Sequence, residues 1–320
     1  MNFINKKRNS SIELLRIISM LLIVIFHFLS RNFNLYVISN EQINQPNILS
    51  EIYLAQLGAL GVPCFMFISG YFGIKFKQQR FNETLFQCLF YALISFIGYF
   101  FISEKTEWQA LLFINYWWFM TSYLTIYVLS PGINYLIENS SSKRILFILC
   151  FLYITLICSI WRPASMVNGF VTLVAIYIFA RFCRLHLTNN IKEKSIYILL
   201  SLVILKIILI FLSFKTIHLG AITYISSYKN PLNTLIVGFF VIIIEKKYFY
   251  SNLVNRLANS SLSVYLLSES AFGMIFFSPL FPKEQFNLGG FIIGSIIVFI
   301  SIFIIDNIRL IISKRLFTNE

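Results

Sequence analysis

The amino-acid sequence predicts an all-α, polytopic membrane protein with about ten transmembrane helices. Three observations carry that prediction. Of 320 residues, 58% are hydrophobic and only 12% charged, and the mean hydropathy is +0.77. A soluble domain is nearer ~45–50% apolar and ~25% charged, so these few charges cannot cover a water-soluble particle of this size. The apolar residues also fall in long blocks joined by short polar connections, and one bilayer span needs ~20 of them. Finally, Lys and Arg alternate in density from one connection to the next, as the positive-inside bias requires. Nucleic-acid-binding domains, secreted disulfide scaffolds and soluble α/β enzymes are excluded as first readings.

Ten runs qualify as spans: 12–30, 52–74, 84–102, 112–131, 145–160, 166–183, 195–214, 232–245, 262–280 and 289–312. The first follows Lys6, Lys7 and Arg8, which resemble the basic start of a signal peptide. Arg16 interrupts its apolar stretch and no A-x-A-like cleavage site follows, so it reads as a retained helix. The second run holds glycines and a proline, and the eighth is short; these are the weakest of the ten. Placing the N-terminus in the cytoplasm puts eighteen Lys and Arg residues on the inner side and six on the outer. Arg16 and Lys206 remain inside runs. An odd number of spans would break this alternation. The sequence is therefore read as one transmembrane domain over 1–320, multi-pass in the plasma membrane, with both termini cytoplasmic. No internal repeat of fixed period is visible.

The net charge of +13 is then explained by basic cytoplasmic loops and needs no polyanion partner. Cys64, Cys88, Cys150, Cys158 and Cys183 form no CxxC pair and nearly all lie in apolar runs. They read as small hydrophobes, and no metal site is expected.

Ionisable residues within spans are costly and mark function by default. Here they are Glu13, Arg16, His27, Lys206, Glu269 and Asp306, whereas His186 and His218 fall in loops. Arg16 and His27 are eleven residues apart. Eleven helical steps come within ~20° of three full turns, so the two side chains share a face ~16 Å apart along the axis. Glu13, three residues before Arg16, can pair with it. A snorkelling anchor explains Arg16 alone, and an interhelical hydrogen bond explains His27 alone. Their common face describes a track, with a cation at its inner mouth and a titratable group near its outer end.

At these residues the sequence resembles the membrane acyltransferase 3 family, which includes bacterial O-acetyltransferases of capsular and other surface polysaccharides. The first helix begins IELLR and places Arg16, then ten residues, then His27. GVPCFMFISGYF (61–72) is similar to the family's second span, and the basic stretch KFKQQRF (75–81) follows it. NYWWFMTSYLTIYVLSPGIN (115–134), VNGFVTLVAIYIFARFCR (167–184) and LANSSLSVYLL (257–267) resemble later spans in the same order. Two departures stand out. Ser268, followed by Glu269, stands where many members have a histidine, and Glu13 replaces the common aspartate before the motif arginine. No SGNH-type hydrolase segment is appended, so the membrane domain itself or a partner must complete transfer.

The resemblance implies acetyl transfer from cytosolic acetyl-CoA to a hydroxyl of a surface polysaccharide or its lipid-linked repeat unit. Arg16, Lys75, Lys77 and Arg80 would hold the donor's phosphates, although the positive-inside bias explains the last three equally well. His27 would act as general base or carry the acetyl group covalently. Glu269 has two readings, orienting His27 or neutralising Lys206. Trp117, Trp118 and Tyr123 fall near the outer part of the fourth run, where they would stack on the acceptor sugar or serve as interfacial aromatics. Ser69 and Gly70 read as close helix packing and not as a nucleophile elbow. The main alternative is a transporter or flippase of a polar or lipid-linked sugar, which ten helices with buried ions also suit.

Overall fold

The computed structural model describes residues 8–35, 38–39, 42–103, 117–158, 166–216, 219–225 and 227–317. Lys6, Lys7, Lys105, Arg162, His218 and the first residues of the fourth run (112–116) lie outside the described residues.

Helix α1 (Ser10–Asn32) starts where the Asn9 side chain accepts a hydrogen bond from the Ser11 amide, with Glu13 in its first turn. This N-cap satisfies an otherwise orphaned amide, and the acid complements the helix dipole. Two helices, α2 (Ile48–Gly58) and α3 (Gly61–Phe72), follow almost end to end, then α4 (Gln78–Ser103). The middle of the chain forms α5 (Trp118–Glu138), α6 (Ser142–Cys158), α7 (Met166–Leu185), the short α8 (Asn189–Glu193) and α9 (Ser195–Lys215). The last part contains α10 (Leu219–Ile225), α11 (Pro231–Glu245), α12 (Asn252–Ala258), α13 (Ser261–Ser268), α14 (Ala271–Phe277) and α15 (Leu288–Phe317).

The all-α expectation holds among the described residues, but the number of spans does not. Among the described residues, six helices are long and apolar enough to cross a bilayer, or seven if one sharply bent pair is counted as a single span. The expected ten overcounts for local reasons. Thr, Ser, Tyr and Asn dilute α5, which also contains Pro131. Helix α6 is described over 17 residues, to Cys158, and α11 has only 15. The ninth run bends by 93° between Ser268 and Ala271. A sliding count of apolar residues registers neither the bend nor the end of a helix.

Helix α1 is the hub, packing against α2, α3, α11, α12, α13 and α15. Burial follows position: 61% of the apolar window of α1 and 72% of that of Ile48–Phe72 are buried, against 17% for α9. The exposed Ile, Leu and Phe of α9 and α15 are what a rim facing lipid requires. Gly70 marks the tightest approach of α3 to α7, since an added Cβ would lie 2.7 Å from the Tyr177 carbonyl oxygen. The close-packing reading of this glycine therefore holds.

Two buried polar knots tie the bundle. Asp306 on α15 accepts hydrogen bonds from Tyr91 (2.9 Å), Ser263 (2.6 Å) and Arg309 (Nε, 2.5 Å), joining α4, α13 and α15. Lys206 on α9 donates to the Gln56 carbonyl (3.1 Å) and to Asn233 Oδ1 (2.7 Å). Asn233 is held in turn by donating to the carbonyls of Ile225 and Ser227. The reading in which Glu269 neutralises Lys206 is therefore corrected. Lys206 is satisfied by neutral acceptors, and Glu269 lies against α1.

The helix ends carrying most of the basic residues bond to one another. Arg8 reaches Asn259, Ser10 reaches Asn255, and Ser11 donates to the Lys247 carbonyl. Arg184 pairs with Glu245, and Lys246 donates to the Lys192 carbonyl.

Candidate active site

The site is built on one face of α1. At its start Glu13, buried with 4% of its surface exposed, receives two guanidinium groups. Arg16 Nη1 lies 3.0 Å from Oε1, and Arg8 Nη2 lies 2.7 Å from Oε2. The expected Glu13–Arg16 pair is present. Arg8 shares the same carboxylate, which leaves the cluster a net positive charge.

Eleven residues further on, His27 Nδ1 lies 3.2 Å from Glu269 Oε2. Arg31 Nη2 approaches the same oxygen at 3.5 Å. Glu269 Oε1 is buried without a hydrogen-bond partner among the described residues. The bend between α13 and α14 delivers the carboxylate. Helix α13 stops at Ser268, and Ser270 caps α14 by accepting from the Gly273 amide at 3.0 Å while donating to the Leu267 carbonyl at 2.7 Å. Position 273 must be glycine, because a Cβ there would sit 1.8 Å from the Leu267 oxygen. Of the two readings of Glu269, this geometry matches the one that places it at His27.

Arg31 was visible in the sequence only as one of the outer basic residues. Its signal is the spacing: it follows His27 by four residues on a continuous helix, which puts the two on neighbouring turns of one face.

On α5, Tyr123 is half-buried, and on the facing α3 the Ser69 hydroxyl donates to the Phe65 carbonyl at 3.1 Å. The Tyr123 ring packs against Phe65 and Phe119. Through Phe119, the aromatic contacts link Tyr123 to Trp118, with which the sequence groups it. It lies five residues beyond Trp118, ~7.5 Å along the helix. Trp117 is buried, and Trp118 stacks on Tyr228 at 4.8 Å.

Lys75, Lys77 and Arg80 are exposed, but the loop beneath them is anchored. The Ile74 amide donates to Tyr177 Oη (2.9 Å), and Asn134 donates to the Ile74 carbonyl (2.9 Å). The Lys77 amide donates to Tyr127 Oη at 3.2 Å. Tyrosines of α5 and α7 therefore hold the basic loop in place.

His186 is structural, bonded to Ser142 at 3.1 Å and stacked on Phe182. Among the described residues, no cluster of three or more His, Cys, Asp or Glu side chains is arranged to hold a metal ion. Cys64, Cys88 and Cys183 are buried, Cys150 and Cys158 are exposed, and all five are free thiols.

A family model for an acyltransferase domain matches residues 9–306, a stretch that contains Glu13, Arg16, His27, Arg31 and Glu269. The chain belongs to this acyltransferase family. No curated protein and no solved structure matches it. Membership supports enzymatic acyl transfer within a multi-pass membrane protein, and the family in general suggests an acyl-CoA-type donor. It favours acyl transfer over the transporter or flippase alternative.

Proposed function

We propose that this acyltransferase moves an acetyl group from cytosolic acetyl-CoA to a hydroxyl of a surface (capsular or exo-) polysaccharide or of its lipid-linked repeat unit. The observation that carries the reading is a single continuous helix bearing a cationic cluster at one end and a His27–Glu269 pair ~16 Å further along the same face. Coenzyme A has matching anatomy: a polyanionic nucleotide end, and a long uncharged arm ending in the thioester.

Arg16, with the anchored basic loop of Lys75, Lys77 and Arg80, binds the donor phosphates by charge-assisted hydrogen bonds. These groups sit at the cytoplasmic mouth of a plasma-membrane protein whose two termini are cytoplasmic. The arm runs past Tyr123 towards His27. With Nδ1–H directed at Glu269, the imidazole carries its basic lone pair on Nε2. There it takes the acceptor hydroxyl proton while the oxygen attacks the thioester carbonyl carbon. The carbon–sulfur bond breaks, and the departing thiolate receives that proton from His27. Arg31, whose Nη1 is buried without a partner among the described residues, is placed to stabilise the oxyanion that forms on the carbonyl. Trp118 and its stack with Tyr228 offer an aromatic surface to the acceptor, with Trp117 buried behind it.

The test uses membranes containing the full chain, supplied with radiolabelled acetyl-CoA and the surface polysaccharide of the producing cell. Acetyl transfer is expected for the unaltered protein and absent for His27→Ala, with both folded in the membrane. Full activity of His27→Ala ends the mechanism. Rapid quenching that traps label on His27 distinguishes covalent from direct transfer.

A further inference from the structure

A cavity of about 520 Å³ opens at the end of α1 beyond His27. Its volume falls within the range of small-molecule sites, but such sites are mostly apolar. This one is lined by amide and carboxylate side chains, among them Asn34, Asn47, Gln285, Glu284 and Glu51, with two aromatic rings, Phe33 and Phe286.

The cavity is held open by bonds that belong to its walls. Gln42 donates to the Phe33 carbonyl at 2.8 Å and accepts from the Ser39 amide at 2.8 Å, fixing the loop before α2 against the end of α1. On the opposite wall, Asn32 donates to the Pro282 carbonyl at 2.8 Å. Phe33 contacts Phe286, and both contact Phe291. Asn34 turns the chain away from α1 in the left-handed region, at φ 52°, a conformation asparagine tolerates better than most residues.

Glu51 is the decisive group. It is 97% buried, lines the cavity, and its Oε2 has no hydrogen-bond partner among the described residues. A buried carboxylate oxygen without a donor is costly, and a carboxylate can only accept. The missing partner is therefore a donor. With Glu51 and Glu284 set against the single cation Lys283, the lining repels anions. Amides that both donate and accept, a buried carboxylate acceptor and two aromatic rings together match a ring carrying several hydroxyls. Asn32, at the cavity wall, lies five residues beyond His27 on α1, ~7.5 Å further along the axis.

We infer that this cavity is a binding subsite for a neutral sugar ring, with Glu51 accepting from its hydroxyls. Within the acyl-transfer reading, on which the assignment to an acceptor rests, it holds part of the acceptor at the membrane face nearest His27 and discriminates against acidic sugars.

The experiment is saturation-transfer NMR on the full chain in lipid nanodiscs, using methyl glucoside, methyl N-acetylglucosaminide and methyl glucuronide as probes. Saturation transfer is expected to the two neutral glycosides and not to the glucuronide. Replacing a charged acceptor by a neutral one in Glu51→Gln weakens neutral glycoside binding by ~5-fold. Glu284→Gln, an exposed change that leaves the buried packing alone, is expected to admit the glucuronide. The assignment is overturned if no neutral glycoside receives saturation, if the folded Glu51→Gln variant binds them unchanged, or if the glucuronide binds best to the unaltered protein. Calcium that abolishes the glycoside signal by binding at Glu51 also overturns it, in favour of a cation site. Acetyl-CoA hydrolysis on the same samples separates the two readings. Hydrolysis without glycoside binding sinks the subsite alone, and glycoside binding without any turnover of acetyl-CoA sinks the acyl-transfer reading alone.

Discussion

Glu269 offers the sharpest test of the paired-residue reading, because its two obvious replacements should behave differently. One oxygen, Oε2, meets His27 Nδ1 at 3.2 Å and Arg31 Nη2 at 3.5 Å. Both neighbours present donors there, so a glutamine in its place turns its amide oxygen towards them and keeps Nδ1 protonated. What is lost is charge. A hydrogen bond to a charged group contributes about 1.5–3 kcal/mol and a neutral one about 0.5–1.5. The difference, about 1–1.5 kcal/mol, corresponds to a ~5- to 15-fold fall in kcat. Glu269→Ala removes the acceptor altogether. The imidazole is then free to protonate on either nitrogen, and Arg31 is left with an unmet charge beside it. The expected loss of kcat is ~10²-fold or more, within the range that general-base groups contribute. The donor KM should change little in either variant, because the phosphates bind at the other end of the track. The assay is CoA thiol release from acetyl-CoA in nanodiscs, with acceptor polysaccharide present and each pH profile recorded. An alanine variant within twofold of the unaltered enzyme would refute the argument, as would a glutamine variant as impaired as alanine.

Three further outcomes follow from the same geometry. Arg16→Ala should raise the donor KM by ~10-fold or more, the size of one charge-assisted contact, while acceptor KM holds; an unchanged donor KM removes Arg16 from the donor site. Gly273→Ala pushes a methyl into the Leu267 carbonyl, so it should destabilise the fold by about 1–3 kcal/mol and lower activity through displacement of Glu269. A thermal midpoint in detergent equal to that of the parent would contradict the bend geometry. Lys206→Met leaves the Gln56 carbonyl and Asn233 without their donor and should cost about 1–3 kcal/mol of stability. Turnover of the protein that remains folded should be unchanged, and a selective loss of kcat would mean that Lys206 acts at the site after all.

Much of the working face was legible before any tertiary structure, because it lies on one helix. The Arg16–His27 phase and the Glu13–Arg16 pair are i-to-j relations along α1, which 3.6-residue periodicity specifies. Arg31 was equally readable at four residues from His27 and was masked by its place at the helix end, where basic residues have an ordinary explanation. The partner of Glu269 was a different kind of question. More than two hundred residues separate it from His27, and nothing in the local pattern around SES chooses between His27 and Lys206.

Composition and hydropathy alone determined that the chain belongs in a bilayer, because they measure transfer of side chains out of water one segment at a time. They could not determine how many helices cross it, because the 93° bend and the shortness of α11 are products of breaks and packing. Tertiary structure decided that Glu269 faces His27, that Lys206 is satisfied by Asn233, and that Glu51 closes a polar cavity. Each is a meeting of side chains from helices far apart in sequence. Buried polar groups must find partners, and which partner lies within reach depends on how the helices pack.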